Sequence, residues 1–281
     1  MKKIKLRLMN EKGRYPNNNF QSNDAIFISD KRTGFVYSVI KTIKEDEQYY
    51  NSETSWALVS EIKLWSSIML SIPKDQGKFI IFPNNNIIEI DESKSDFNDP
   101  QLLDFIHQII YNKLEGLNYI YDIRDSISEI DFNKELQYKI YSNIDCSNHI
   151  LIRGLTFLIK SQILVSTNCY LFMEDALTLL YFSIEAALSI IRKSMIKSTG
   201  QTPSYIDVFT LISEKYIPDV DLNNIKDYFQ ALYENRILLV HPDNKYKVSG
   251  IPILEADDYY DIYGHMLEFY RDIIISNELK C

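Results

Sequence analysis

Arg236 and His241 are the residues of this chain whose types and spacing point most directly to chemistry. They lie in DLNNIKDYFQALYENRILLVHPDN, residues 221–244. There Leu222, Ile225, Phe229, Leu232 and Leu239 recur at helical spacing, and Arg236 takes the place on that stripe after Leu232. A guanidinium cannot shed its charge, so it needs an acceptor or a route to solvent along the edge of the stripe. His241 precedes Pro242, which biases it away from helical geometry, so the helix is expected to end there. The imidazole would then face open helix carbonyls, whose dipole favours its protonated form. The pair could grip a phosphate, His241 moving a proton and Arg236 neutralising developing charge. The plainer reading is a helix cap beside a snorkelling arginine.

Glu185 is a second misfit. It is the single charge in ALTLLYFSIEAALSII, residues 176–191, which is apolar nearly all round. Such a helix belongs in the middle of a bundle, where a carboxylate needs a cation or a donor. Pairing with Arg236 would satisfy both; the alternative is a Glu185 at the bundle surface.

Other chemistries lack their patterns. There is no phosphate loop, dinucleotide fingerprint, H-E-x-x-H or nucleophile elbow. Cys146 and His149 form a lone C-x-x-H without the second pair a zinc site uses, and no metal or cofactor is expected. Asp257, Asp258 and Asp261 read as a solvated first helical turn. His107, His149 and His265 have no partner pattern. Tyr259, Tyr263 and Tyr270 fall on a helical stripe and read as core or interface residues with a wet hydroxyl.

The elements that must position these residues divide the chain. Residues 1–95 read as an α+β domain. Lys2 to Met9 alternates, as a half-buried strand does, and 25–29 and 35–43 are further strands. Residues 78–83 and 87–90 flank Asn84-Asn85-Asn86, which reads as a hairpin turn. Residues 56–70 fit a helix at least as well as a strand. A polar break at 91–100 ends in Asp99-Pro100, a good helix start. Helices are expected at 100–127, 133–143, 147–166, 172–198, 204–214, 221–240 and 255–276, with 96–132 as a helical connection and 133–281 as a bundle. The fold class is therefore α+β: a mixed α/β N-terminal region followed by an all-α bundle.

With 281 residues, 46% hydrophobic and 25% charged, the composition is that of a globular chain. The net charge of −9 argues against broad nonspecific coating of nucleic acid. Residues 133–281 carry 14 Lys and Arg against 19 Asp and Glu, so an RNA cleft must be a local feature. Three scattered cysteines suggest a reducing compartment. The basic Met1-Lys2-Lys3 start is followed by alternating residues rather than a continuous apolar run. The best membrane candidate, 176–191, is short and carries Glu185. A cytoplasmic protein without a membrane span is expected.

R-I-L-L-V-H is an R-x4-H motif that resembles the signature of the HEPN superfamily, helical nucleotide-binding domains that are often metal-independent ribonucleases. The resemblance includes a long helix at Asn148 to Lys160, a second from Phe172 to Leu188, a short helix, the motif helix and a closing helix. It covers roughly 145–276, about half the chain. It implies a HEPN-like bundle, a homodimer whose Arg and His line one cleft, and RNA cleavage through the ribose 2′-OH without a metal. In that scheme His241 is the general acid or base and Arg236 binds the scissile phosphate. Glu185 orients Arg236, Asn235 supports it, and Lys245 and Lys247 contact RNA backbone. Ile237 follows the arginine where many active members have a polar residue, and Pro242 follows the histidine. Inactive members serve in dimerisation or nucleotide binding, which is the alternative function. The family recurs in bacterial toxin and antiviral systems held off until triggered, so a regulatory protein or trigger is an expected partner. His241-Pro242-Asp243 is also the tripeptide of J-domain cochaperones, but Asp227 and Glu234 stand where a basic surface would be needed.

Overall fold

The computed structural model describes residues 3–9, 14–16, 19–30, 35–43, 57–72, 81, 83–90, 99–114, 128–130, 132–216, 222–240 and 256–276. The chain is α+β and divides into two compact units, 1–138 and 139–281.

The first unit holds a five-stranded antiparallel sheet of order β3-β4-β5-β1-β6. Its strands are β1 (Lys3–Met9), β3 (Phe20–Gln21), β4 (Ala25–Asp30), β5 (Phe35–Ile43) and β6 (Pro83–Ile90). Two short strands, β2 (Arg14–Pro16) and β7 (Ser128–Ile130), pair in parallel. Residues 36–40 of β5 are all buried, so neighbouring side chains on both faces of this strand are covered.

Two expectations are corrected here. Asn84-Asn85-Asn86 does not turn a hairpin; it lies inside β6. The β1–β6 register shifts there, with Arg7 opposite Ile87 but Met9 opposite Pro83. The asparagines absorb the extra residues of that irregularity, for which their conformational tolerance suits them as well as for a turn. Arg7, at a polar position of the alternating β1, is only 1% exposed, so that position is not the wet edge of a half-buried strand.

The ambiguous segment is helical, α1 (Val59–Met69). Glu61 accepts the Leu58 backbone N–H at 2.7 Å, half of a capping box. Ser67 Oγ and Ser71 Oγ donate to the Leu64 and Ile68 carbonyls, which lets these polar residues be buried. Helix α2 (Asp99–Leu114) begins at the expected Asp-Pro start. The continuation expected over 115–127 lies outside the described residues.

Helix α3 (Lys134–Asn143) spans the division between the units. The second unit continues with α4 (His149–Thr167), α5 (Cys169–Thr199), α6 (Tyr205–Lys215), α7 (Leu222–Val240) and α8 (Ala256–Ile275). Caps explain most boundaries. Asn148 Oδ1 accepts the Leu151 N–H, and Asn168 ends α4 while accepting the Leu171 N–H of α5. This starts α5 earlier than the expected residue 172. Gly200 closes α5 at φ +70°, a left-handed conformation that suits glycine. Ser204 and Asp207 form a capping box on α6, whose hydrogen bonds hold the Asp207 carboxyl below its usual range.

Helices α4, α5 and α8 meet at small residues. Ser183 Oγ lies 2.9 Å from the Gly154 carbonyl, and the Tyr270 hydroxyl donates to the Ser183 carbonyl at 2.7 Å. Ser161 Oγ donates to the Leu158 carbonyl, so its 3.1 Å contact with Tyr259 has the phenol as donor. Tyr259, Tyr263 and Tyr270 are fully buried. They are core residues as expected, but their hydroxyls are not wet; those of Tyr259 and Tyr270 are satisfied inside the bundle. Helix α4 is long and apolar enough to cross a membrane by length and composition, and half of that window is buried inside the protein.

Candidate functional site

The motif helix forms as its pattern demands. In α7, Ile225 is buried and Leu222 and Phe229 are half-buried, so the stripe packs inward over its first turns. The helix runs through Asn235 and Arg236 to Val240. Val240 is the last described residue there, and Arg236 lies four residues before it. For Asn235 and Arg236 the description covers the backbone alone. His241, Lys245 and Lys247 lie outside the described residues, as does the Glu185–Arg236 pairing.

Helix α7 packs against α5, which carries Glu185. Glu185 is exposed, which corrects the argument that burial obliges it to find a cation. Helix α5 is not covered all round. Its Ala176, Leu177, Leu180 and Ala187 are buried, while Glu185 and Arg192 lie on a flank left open.

That flank forms one wall of a cleft of about 780 Å³ between α5, α6 and α7. Glu185, Leu188 and Arg192 line it at helical spacing from α5, and Lys226, Asp227 and Phe229 line it from α7. Helix α6 contributes an aromatic wall. Phe209 stacks on Phe229 with ring centroids 5.0 Å apart and planes 7° apart. Tyr205 continues the row at 6.3 Å from Phe209, and the Arg192 guanidinium lies 5.8 Å from the Tyr205 ring. Tyr205 and Ile206 are 67% and 57% exposed at the mouth.

Such a cleft can hold a flat apolar body and orient it through charged groups at its walls. The sequence singled out Glu185 as a buried carboxylate paired with Arg236, not as a wall of this cleft, and it missed Arg192, Tyr205, Phe209, Lys226 and Phe229 as a group. The available signal was Tyr205 and Phe209 at i, i+4 on a short helix whose buried residues are Val208 and Ile212.

Two histidines have partners the sequence did not suggest. His107 Nε2 lies 3.1 Å from the hydroxyl of fully buried Tyr37, and His265 Nδ1 lies 3.4 Å from that of Tyr228. Burial, then the nearby Tyr181 and Asp261, raises the Tyr228 phenol. These contacts join β5 to α2 and α7 to α8.

No family model, curated protein or solved structure matches the chain.

Proposed function

We propose that the chain is a metal-independent endoribonuclease of HEPN type. The observation that supports this reading most is α7 itself: the helix runs unbroken past Arg236 to Val240, the last described residue before His241, as the R-x4-H motif requires of its arginine. Pro242 is expected to end the helix at His241; a histidine at a helix C-terminus is favoured in its protonated form, and an arginine one turn earlier can share a ligand with it.

In this reading Arg236 binds the scissile phosphate and neutralises charge as it grows in the transition state. The ribose 2′-OH loses its proton and its oxygen bonds to phosphorus. The bond to the 5′ oxygen of the next nucleotide breaks, and that oxygen takes up a proton. The products are a cyclic phosphate and a 5′-hydroxyl. His241 is the group that takes or returns the proton. Glu185 and Asn235 support Arg236, and Lys245 and Lys247 meet the RNA backbone. The active species is a homodimer in the cytoplasm, part of a bacterial defence or toxin system, with the first unit answering a trigger. The test is end-group analysis of RNA exposed to the protein: cyclic phosphate ends are expected, and 5′-phosphate ends would refute the mechanism.

The second reading is a non-catalytic module for dimerisation or nucleotide binding. The aromatic cleft favours it, since such a cleft serves binding without any proton transfer. The two differ in cells. An unrestrained ribonuclease slows growth on expression and is relieved by Arg236→Ala; a binding module does neither.

A further inference from the structure

We infer that the cleft between α5, α6 and α7 is a nucleotide subsite that reads one base of the RNA strand near the cut. It rests on the ribonuclease reading for the identity of the strand, while its ligand chemistry stands on the cleft itself.

The volume of about 780 Å³ is that of a small-molecule site and is ample for one nucleotide. The row Tyr205–Phe209–Phe229 offers flat π faces in succession, and a planar base extends such a row by stacking. Two cations stand at the same walls. Arg192 and Lys226 form no ion pair among the described residues, although Lys226 is half-buried. An uncharged apolar ligand would cover them without supplying an anion, at a desolvation cost. A phosphate beside the stacked base supplies one, and Arg192 is held over the Tyr205 ring ready to meet it.

A further polar group sets a preference among bases. Asp227 is a carboxylate at the cleft wall and only accepts hydrogen bonds. Adenine, cytosine and guanine present exocyclic amino groups that donate to a carboxylate; uracil has none. The subsite therefore favours amino-bearing bases.

Its place relative to the motif follows from α7. Phe229 and Arg236 are seven residues apart, which is two turns on one face and about 10 Å along the axis. A strand whose base stacks near Phe229 has a neighbouring phosphate within reach of the end of α7. The cleft would thus choose which linkage is presented to Arg236 and His241.

The test uses the full chain and two readouts. Calorimetric titration with adenosine 5′-monophosphate, uridine 5′-monophosphate, adenosine and inorganic phosphate reads the cleft. RNA cleavage, read separately, tests the ribonuclease. The adenine nucleotide is expected to bind more tightly than adenosine, phosphate or the uridine nucleotide. Phe229→Leu and Arg192→Gln should each weaken it about tenfold. Tyr205→Leu, at an exposed position, should weaken it too and guards against loss of folding in the Phe229 variant. Absence of nucleotide binding to the folded parent, or binding unchanged in all three variants, overturns the inference. Binding that follows the variants in a protein that cuts no RNA keeps the subsite and removes the ribonuclease reading. Cleavage whose base preference survives all three variants leaves the enzyme and removes the subsite.

Discussion

Arg7 and Glu61, fifty-four residues apart, join β1 to α1 through a buried two-point fork. Arg7 Nε donates to Glu61 Oε1 at 2.6 Å and Nη2 to Oε2 at 2.9 Å, with both residues 1% exposed. The guanidinium also lies 5.7 Å from the Trp65 ring. Two ions out of water are tolerated because geometry is bidentate and Glu61 takes a third hydrogen bond from Leu58.

Removing one partner strands the other charge in the interior. Arg7→Met alone is expected to cost about 3–5 kcal/mol. Arg7→Met with Glu61→Gln should recover most of that loss, since glutamine still accepts from Leu58. Both tryptophans, Trp56 and Trp65, lie in the first unit, so urea unfolding followed by tryptophan fluorescence reads this effect. Equal destabilisation by the single and double variants would refute the fork as the cause.

Gly154 and Gly200 are both replaceable by alanine on paper, with different consequences. A Cβ on Gly154 would run into the Tyr270 hydroxyl and sit 2.9 Å from Ala186 Cβ. Gly154→Ala should cost about 1–3 kcal/mol by overpacking, and Tyr270→Phe should relieve part of it by removing the hydroxyl. At Gly200 nothing lies within 4 Å, so the penalty is backbone strain alone at φ +70°, about 1 kcal/mol. No second-site change should relieve Gly200→Ala. Thermal denaturation of Gly154→Ala, Tyr270→Phe, their double variant and Gly200→Ala, followed by circular dichroism, separates the two causes.

The buried tyrosines make the bundle sensitive to alkali. Burial raises Tyr263, with Tyr259 beside it adding to the effect. Burial also raises Tyr259 and Tyr270, opposed by their serine hydrogen bonds. Unfolded tyrosines ionise near about 10. Above that pH the unfolded chain gives up protons that the folded chain keeps, so stability is intact below it and falls as pH rises beyond it. Tyrosinate absorbance for these residues should appear together with loss of helical circular dichroism. Ionisation of all 20 tyrosines in a still-folded protein would contradict this.

Helix ends were the most legible part of the fold, because caps are local chemistry. Asp99-Pro100 marked the start of α2, and the structure shows Asn148, Gly200 and Ser204, each acting within one turn of itself, at ends that the periodicity alone had placed within about two residues. Asn84-Asn85-Asn86 was misread because the same tolerance serves a turn or a bulge, and pairing with β1 decides between them. The fork between Arg7 and Glu61 was invisible because a period describes one element and their contact joins two. The cleft was missed for a related reason: it is built from the flanks that α5, α6 and α7 leave uncovered, whereas the stripe pattern marks what is buried. The same pattern was enough to carry α7 through Arg236 to Val240.

The central claim is that Arg236 and His241 cut RNA without a metal. The most direct measurement is cleavage of RNA by the purified protein in excess EDTA, beside Arg236→Ala and His241→Ala with their folding checked by circular dichroism. The account predicts cleavage by the parent and a loss of at least about a hundredfold in each variant. Cleavage that persists in both variants, or that EDTA abolishes in the parent, would contradict it.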